Sequence, residues 1–459
     1  MVQGLVAPGG NAVPVTPVAP AELPARLAAL GAATERWAET TRFAAEPGKL
    51  LLVPDENGRL GHVLAGMGEG EFLWALGACP DALPEGTYAL ADAPRAAHTA
   101  LALGWALGSY AFTRYKRRER GPARLEWPAH AERARVEAVA EGMALARDLI
   151  NTPAEDLGPA ELAGAIEDMA AQLGARCKVI VGDGLLAANY PTIHAVGRAS
   201  TRPPRLVDLT WGDEQAPKLT LVGKGVCFDS GGLDLKPASG MLNMKKDMGG
   251  AATLIALARA VMALKLPLRL RLLVPAVENS VAGNAFRPRD IIRTRKGITV
   301  EVGNTDAEGR LILCDALAEA ARERPGLIVD MATLTGAARV ALGPELPALF
   351  CNDDALAADL IAAGTAERDP LWRLPLWPPY REMLKSPIAD INNVSEGGFA
   401  GAITAALYLN EFVPADIPWA HIDTYAWNGK TRPGRPEGGE ALAMRALLAL
   451  VEQRFGTGG

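Results

Sequence analysis

Beyond its first twenty residues the chain alternates short apolar runs with stretches of helical periodicity. From Ala21 to about Tyr115 the pattern predicts a helix near Glu22 to Ala33, strands at Lys49 to Val53 and His62 to Met67, and an alanine-rich helix after Pro94. Another helix is expected over Ala129 to Ile150, ahead of the proline-punctuated NTPAEDLGP that begins at Asn151. Further on, strands at Pro217 to Val222, Leu268 to Val277, Ile298 to Val302 and Leu327 to Met331 are interleaved with helices at Gly249 to Leu264 and Gly309 to Arg324. That spacing predicts an α/β fold with a C-terminal mixed, mostly parallel sheet covered by helices on both faces, and a smaller N-terminal α/β domain. Residues 1–20 hold four prolines and three glycines and read as a flexible leader. The expected divisions are then 21–125 for the small domain, 126–150 for a linking helix and 151–459 for the large domain.

Composition narrows the functional classes. Hydrophobic residues make up 49% of the 459 and charged residues 22%, the balance of a globular protein. A net charge of -6 offers no global attraction to nucleic acid or anionic membrane. The basic run Arg114 to Arg124 is short and contains Glu119, so a solvated face is the simpler reading. Five scattered cysteines without a CxxC pair suggest neither a disulfide framework nor a zinc finger, and fit a reducing cytoplasm. No apolar run reaches the length of a membrane span, so neither export nor insertion is expected.

Two segments concentrate the candidate chemistry. Leu221 to Gly250 puts Lys224, Asp229, Lys236 and Asp247 into a glycine-rich stretch between a strand and a helix. Val302 to Leu313 carries Asp306, Glu308 and Arg310, whose alternation in an extended stretch would send all three to one side. Four carboxylates gathered without cations would repel one another while partly desolvated. Divalent metals resolve that conflict, because bridging carboxylates hold two ions about 3.5 to 4 Å apart around a shared water that becomes hydroxide near neutral pH. All five histidines lie outside both segments, so oxygen ligands dominate. Such ligands suit manganese or magnesium, with zinc also compatible.

These residues resemble the leucine aminopeptidase (cytosol aminopeptidase) family. NTDAEGR at Asn304 looks like its signature, and VGKGVCFDSGG, LKP and MKKDMGGAA look like its metal-binding loop in the right order. The likeness runs over roughly residues 145 to 455, making 151–459 a catalytic metallopeptidase domain. It implies one metal on Lys224, Asp229, Asp247 and Glu308 and another on Asp229, Asp306 and Glu308. Lys236 would polarise the scissile carbonyl, and Arg310 would hold a bicarbonate. Met244, Asn304, Thr333, Leu334 and Gly336 fall where the family binds substrate. The resemblance also implies peptide substrates with leucine-like first residues and a homohexamer. His421 and Asp423 read as packing on a strand. Two other readings use the same residues: a DNA-binding regulator on this fold, and a different two-metal hydrolase such as a phosphoesterase.

Overall fold

The computed structural model describes residues 3–456. They divide into two compact units, one of residues 3–144 with 428–438 and another of 145–427 with 439–456. The first contains a six-stranded sheet of β1 (Leu5–Val6), β2 (Val13–Val18), β3 (Leu50–Pro54), β4 (Leu60–Gly66), β5 (Thr87–Leu90) and β6 (Arg124–Glu126), in the order β1-β6-β5-β2-β4-β3.

The leader expected over residues 1–20 is therefore corrected, since β2 lies inside this sheet and Val15 and Val18 are fully buried. The prolines misled because they lack the N–H that a central strand uses on both sides. Here pairing is staggered: Val13 to Val15 pair with β5, and Val15 to Val18 pair with β4. Pro14 and Pro17 each fall where β2 has one partner only, so their missing N–H groups leave little unpaired. The helix expected at Glu22 to Ala33 is also two helices, Leu23–Leu30 and Ala32–Thr41, separated by Gly31 at φ 95°. A positive φ of this kind is one that glycine adopts without a Cβ clash.

The larger unit is built on a nine-stranded sheet. It comprises β7 (Arg176–Val181), β8 (Arg205–Trp211), β9 (Lys218–Gly223), β10 (Gly225–Asp229) and β11 (Arg269–Asn279). A small sheet of β12 (Ile291–Arg293), β13 (Thr299–Glu301) and β17 (Ile391–Asn392) stands apart from it. The large sheet is completed by β14 (Leu327–Ala332), β15 (Ala348–Cys351), β16 (Trp372–Arg373) and β18 (Trp419–Asp423), in the order β16-β15-β18-β14-β9-β11-β8-β7, with β10 beside β11. Its centre is parallel, as β18, β14, β9 and β11 pair in one direction. Antiparallel β8 and β7 flank one side and β15 the other.

Both faces are covered. The Gly249–Ala263 helix packs against β9 and β14 together with the Pro159–Leu173 and Met444–Phe455 helices. The Glu308–Arg322 helix packs against β11, β9 and β14 beside the Pro191–Gly197 and Gly401–Asn410 helices. Buried on two faces, β14 carries the continuous apolar run Leu327, Ile328 and Val329 rather than an alternating pattern. Among the described residues no helix is long and apolar enough to cross a membrane.

Candidate metal and catalytic centre

The parallel strands end on one side, and their carboxyl ends carry the charged side chains, where open α/β sheets usually place ligands. Lys224 follows β9, Asp229 ends β10, Thr333 follows β14 and Asp423 ends β18. All twelve residues singled out from the sequence line one cavity of about 530 Å³ there: Lys224, Asp229, Lys236, Met244, Asp247, Asn304, Asp306, Glu308, Arg310, Thr333, Leu334 and Gly336.

The expectation that Asp306, Glu308 and Arg310 alternate along an extended stretch is corrected. Glu308 opens the helix, so Glu308 and Arg310 occupy its first turn and reach the cavity from helical positions. Their approach depends on Gly309, where a Cβ would come within 2.5 Å of the Lys224 side chain. The helix N-terminus also contributes partial positive charge to this acidic end.

Oxygens of Asp229, Asp306 and Glu308 gather within 4.8 Å of one another. Lys224, only 3% exposed, places Nζ 2.7 Å from Asp247 Oδ2 and 2.9 Å from Glu308 Oε1, and donates to the Thr333 carbonyl at 3.0 Å. Lys236 Nζ lies 2.8 Å from Asp229 Oδ2 and also contacts Asp306 Oδ1. Burial opposes the charge on Lys224, yet the carboxylates of Asp247, Glu308 and Asp229 outweigh it and hold the ammonium above its ordinary pKa. Burial, reinforced by Asp229, pushes Asp306 up to about 6 and raises Glu308 well above the carboxylate range.

Two ammonium groups thus face four carboxylates. Among the described residues Glu308 Oε2 has no hydrogen-bond partner, while Glu308 Oε1 and Asp247 Oδ2 meet only the Lys224 ammonium and Asp306 Oδ1 only that of Lys236. Native proteins rarely leave buried polar atoms in this state.

A ring of residues that the sequence did not single out holds the set in place. Asn279 donates to Asp229 Oδ1 at 2.9 Å and to the Thr305 carbonyl at 3.1 Å, linking the two motif loops. Thr305 and Asp234 bond reciprocally, with N–H of Thr305 on Asp234 Oδ2 at 2.7 Å and N–H of Asp234 on Thr305 Oγ1 at 2.9 Å. Fully buried Asn393 accepts from N–H of Gly303 at 2.7 Å, and its carbonyl accepts from Arg310 at 2.6 Å. Thr333 Oγ1 donates to Asp247 Oδ1 at 2.7 Å. Asp423 also lines the cavity and accepts from N–H of Leu334 at 2.9 Å, whereas His421 is buried against Asp330, 2.6 Å from its carboxylate.

With this geometry in hand, similarity to known proteins becomes informative. The model of the cytosol aminopeptidase family catalytic domain matches residues 144–448, and that of the M17 aminopeptidase N-terminal domain matches residues 13–128. A probable cytosol aminopeptidase of Roseiflexus castenholzii is 44% identical over 373 residues, covering 77% of this chain and 76% of its own. One from Geobacter sp. is 37% identical across 93% of both chains. The crystal structure of a cytosol aminopeptidase from Coxiella burnetii is similar at a TM-score of 0.94 and 50% identity, over 98% of this chain and 99% of that one. A bottromycin maturation enzyme in complex with Mn is similar at 0.87 and 38% identity, over 96% and 99%. The likeness spans both units and the unsatisfied acidic centre falls in the matched catalytic region, so the chain belongs to the cytosol aminopeptidase family and is a metal-dependent aminopeptidase.

Proposed function

We propose that this aminopeptidase works with two divalent cations, manganese or zinc with magnesium also suited, and releases leucine-like first residues from peptides. The observation carrying this reading is Glu308, buried beside Asp229 and Asp306 with Oε2 unpartnered and Oε1 meeting only the Lys224 ammonium. Lys224, Asp229, Asp247 and Glu308 would hold one cation, and Asp229, Asp306 and Glu308 the other. Lys224 would ligate as the neutral amine, releasing the proton that Asp247 and Glu308 retain on it in the metal-free chain. Cations bound there supply Lewis acidity toward the scissile carbonyl and make a shared water acidic enough to attack near neutral pH.

The remaining work falls to the chain's own groups. Lys236, which lines the cavity and pairs with Asp229 and Asp306, would offer its ammonium to the oxyanion as the carbonyl becomes tetrahedral. Arg310 commits one nitrogen to Asn393 while its Nε has no partner, which supports a bicarbonate held on the remaining donors for proton transfer. Asn304, Thr333, Leu334, Gly336 and Met244 line the same cavity and would orient the substrate backbone and first side chain. The family resemblance supports a homohexamer in the cytoplasm. The run at Arg114 to Arg124 adds little to a DNA-binding reading, since Arg118 pairs with Asp81 at 2.9 Å and Arg120 donates to the Leu83 carbonyl at 2.5 Å.

The direct test gives manganese-loaded protein a leucine-initiated peptide in free and N-acetylated forms. Cleavage of the free form alone is expected, because the metal-facing end of the cavity would take an unblocked amine. Equal cleavage of both would overturn the exopeptidase reading.

A further inference from the structure

One wall of the cavity carries positive charge that the metal cluster does not use. Lys246 is 4% exposed and lines the cavity, with Nζ 4.6 Å above the Tyr425 ring. Arg339 approaches the same ring at 5.0 Å and lines the cavity too. The structure gives neither cation a carboxylate partner among the described residues. The nearest acids are engaged elsewhere: Asp247 with Lys224 and Thr333, and Asp423 with the N–H of Leu334 and the hydroxyl of Thr335. Thr424, also in the lining, has a buried hydroxyl without a partner.

Burying a lysine without an anion is costly, and a second cation beside the same ring adds repulsion. An aromatic face offsets part of this cost but satisfies no ammonium hydrogen bond. An apolar first residue would leave both cations unpaired, so a leucine-type pocket does not account for them. A carboxylate on the substrate would, with the ammonium and guanidinium donating to it and Thr424 within the same wall.

We infer that Lys246, Arg339 and Tyr425 form a carboxylate-recognising wall, and that peptides presenting a carboxylate to it are favoured substrates of this enzyme. The carboxylate has two sources, an acidic side chain on the first residue or the C-terminus of a dipeptide. This inference rests on the aminopeptidase reading above: a dipeptide C-terminus is compatible with a leucine-like first residue, whereas an acidic first side chain would replace that preference.

The test compares kcat/KM within isosteric pairs on manganese-loaded full-length protein. Glutamyl against glutaminyl p-nitroanilide probes the first side chain, and Leu-Gly against Leu-Gly-amide probes the C-terminus. At least one charged member is expected to win by about tenfold or more, the discrimination typical of a charge-assisted hydrogen bond. Lys246→Met should collapse that ratio, and Arg339→Gln, at an exposed position, should reduce it severalfold. Ratios within one variant cancel any general loss of activity. The pair that responds identifies the carboxylate.

Binding gives an independent readout through the thermal shift produced by L-glutamate against L-glutamine and by glycylglycine against its amide. If leucine p-nitroanilide is hydrolysed while no pair and no ligand distinguishes charge, the inference falls and the aminopeptidase reading stands. If no peptide is cleaved but charged ligands still bind preferentially and in a Lys246-dependent way, the wall stands and the aminopeptidase reading falls. Charge preference that survives in both variants overturns the wall.

Discussion

Glu308 and Glu319 lie on one helix, eleven residues apart, which returns them to within about 20° of the same face about 16 Å apart along the axis. Their surroundings are opposite. Glu319 receives Arg271 at 3.0 Å on one oxygen and Arg295 on the other, with Arg322 at 3.3 Å. Despite partial burial, those guanidinium groups hold its carboxyl below the ordinary range. Glu308 faces Asp229, Asp247 and Asp306, with the Lys224 ammonium 2.9 Å from Oε1, and burial and those acids push its pKa up. At one end of the sheet the fold supplies all the positive charge its acids need. At the other it leaves a deficit, and there the missing cations must come from outside.

The strongest way to break this contrast is to neutralise Glu308. Glu308→Gln removes the charge and keeps the shape, so kcat is expected to fall on the order of 10³-fold, with loss of bound metal. Because Glu308 is crowded by three other carboxylates in the metal-free chain and shares the Lys224 ammonium with Asp247, that variant should melt no lower than wild type in chelator. Metal analysis, a leucine p-nitroanilide assay and thermal melts measure the three quantities. Wild-type turnover with full metal content would remove Glu308 from the centre.

Glu319→Gln should behave in the reverse manner. Gln keeps one acceptor but turns an NH2 toward a guanidinium, leaving Arg271 and Arg295 short of charge. A loss of roughly 2 to 3 kcal/mol in stability is expected, with kcat within about twofold once the protein is folded. Chemical denaturation and kinetics below the transition check it. A large loss of kcat at unchanged stability would show that the two ends are not divided in this way.

Much of this contrast was legible in the chain, and the part that was not has physical causes. Lys224, Asp229, Asp247, Asp306 and Glu308 lie in two segments dense in glycine and charge, a pattern that surface salt bridges rarely need. Strand and helix spacing predicted the parallel centre of the sheet because short apolar runs such as Leu327 to Val329 recur between helical stretches. The β2 strand was hidden by Pro14 and Pro17, whose compatibility depends on a staggered register visible only once β4 and β5 are in place. Glu308 was read as extended because Asp306, Glu308 and Arg310 alternate, while the helix start at Glu308 lacks a side-chain cap to announce it. Asn279, Thr305 and Asn393 are neutral side chains from three separate elements, and their value lies in what they touch. The same holds for Lys246, Arg339 and Tyr425, which meet only in three dimensions.

The smallest expected effect sharpens the contrast through pH. In the metal-free chain Asp306 titrates near 6, above the unfolded value of about 3.9, and Glu308 is shifted the same way. A raised carboxyl pKa contributes stability that is complete below the unfolded pKa and is lost as pH rises through the folded one. Glu319, shifted downward, contributes stability that is present above its unfolded pKa and is lost as pH falls through its folded pKa. Melting temperatures of chelator-treated protein between pH 4.5 and 7 should therefore show a downward component from the Asp306 and Glu308 end. Subtracting the Glu308→Gln profile isolates the part due to Glu308 and its coupling to Asp306. Saturating manganese should reverse the sign, because cation binding needs the deprotonated carboxylates and strengthens as pH rises. A difference profile that is flat in chelator, or that slopes the same way with and without manganese, would mean that the acids around Glu308 are already balanced by the chain's own lysines.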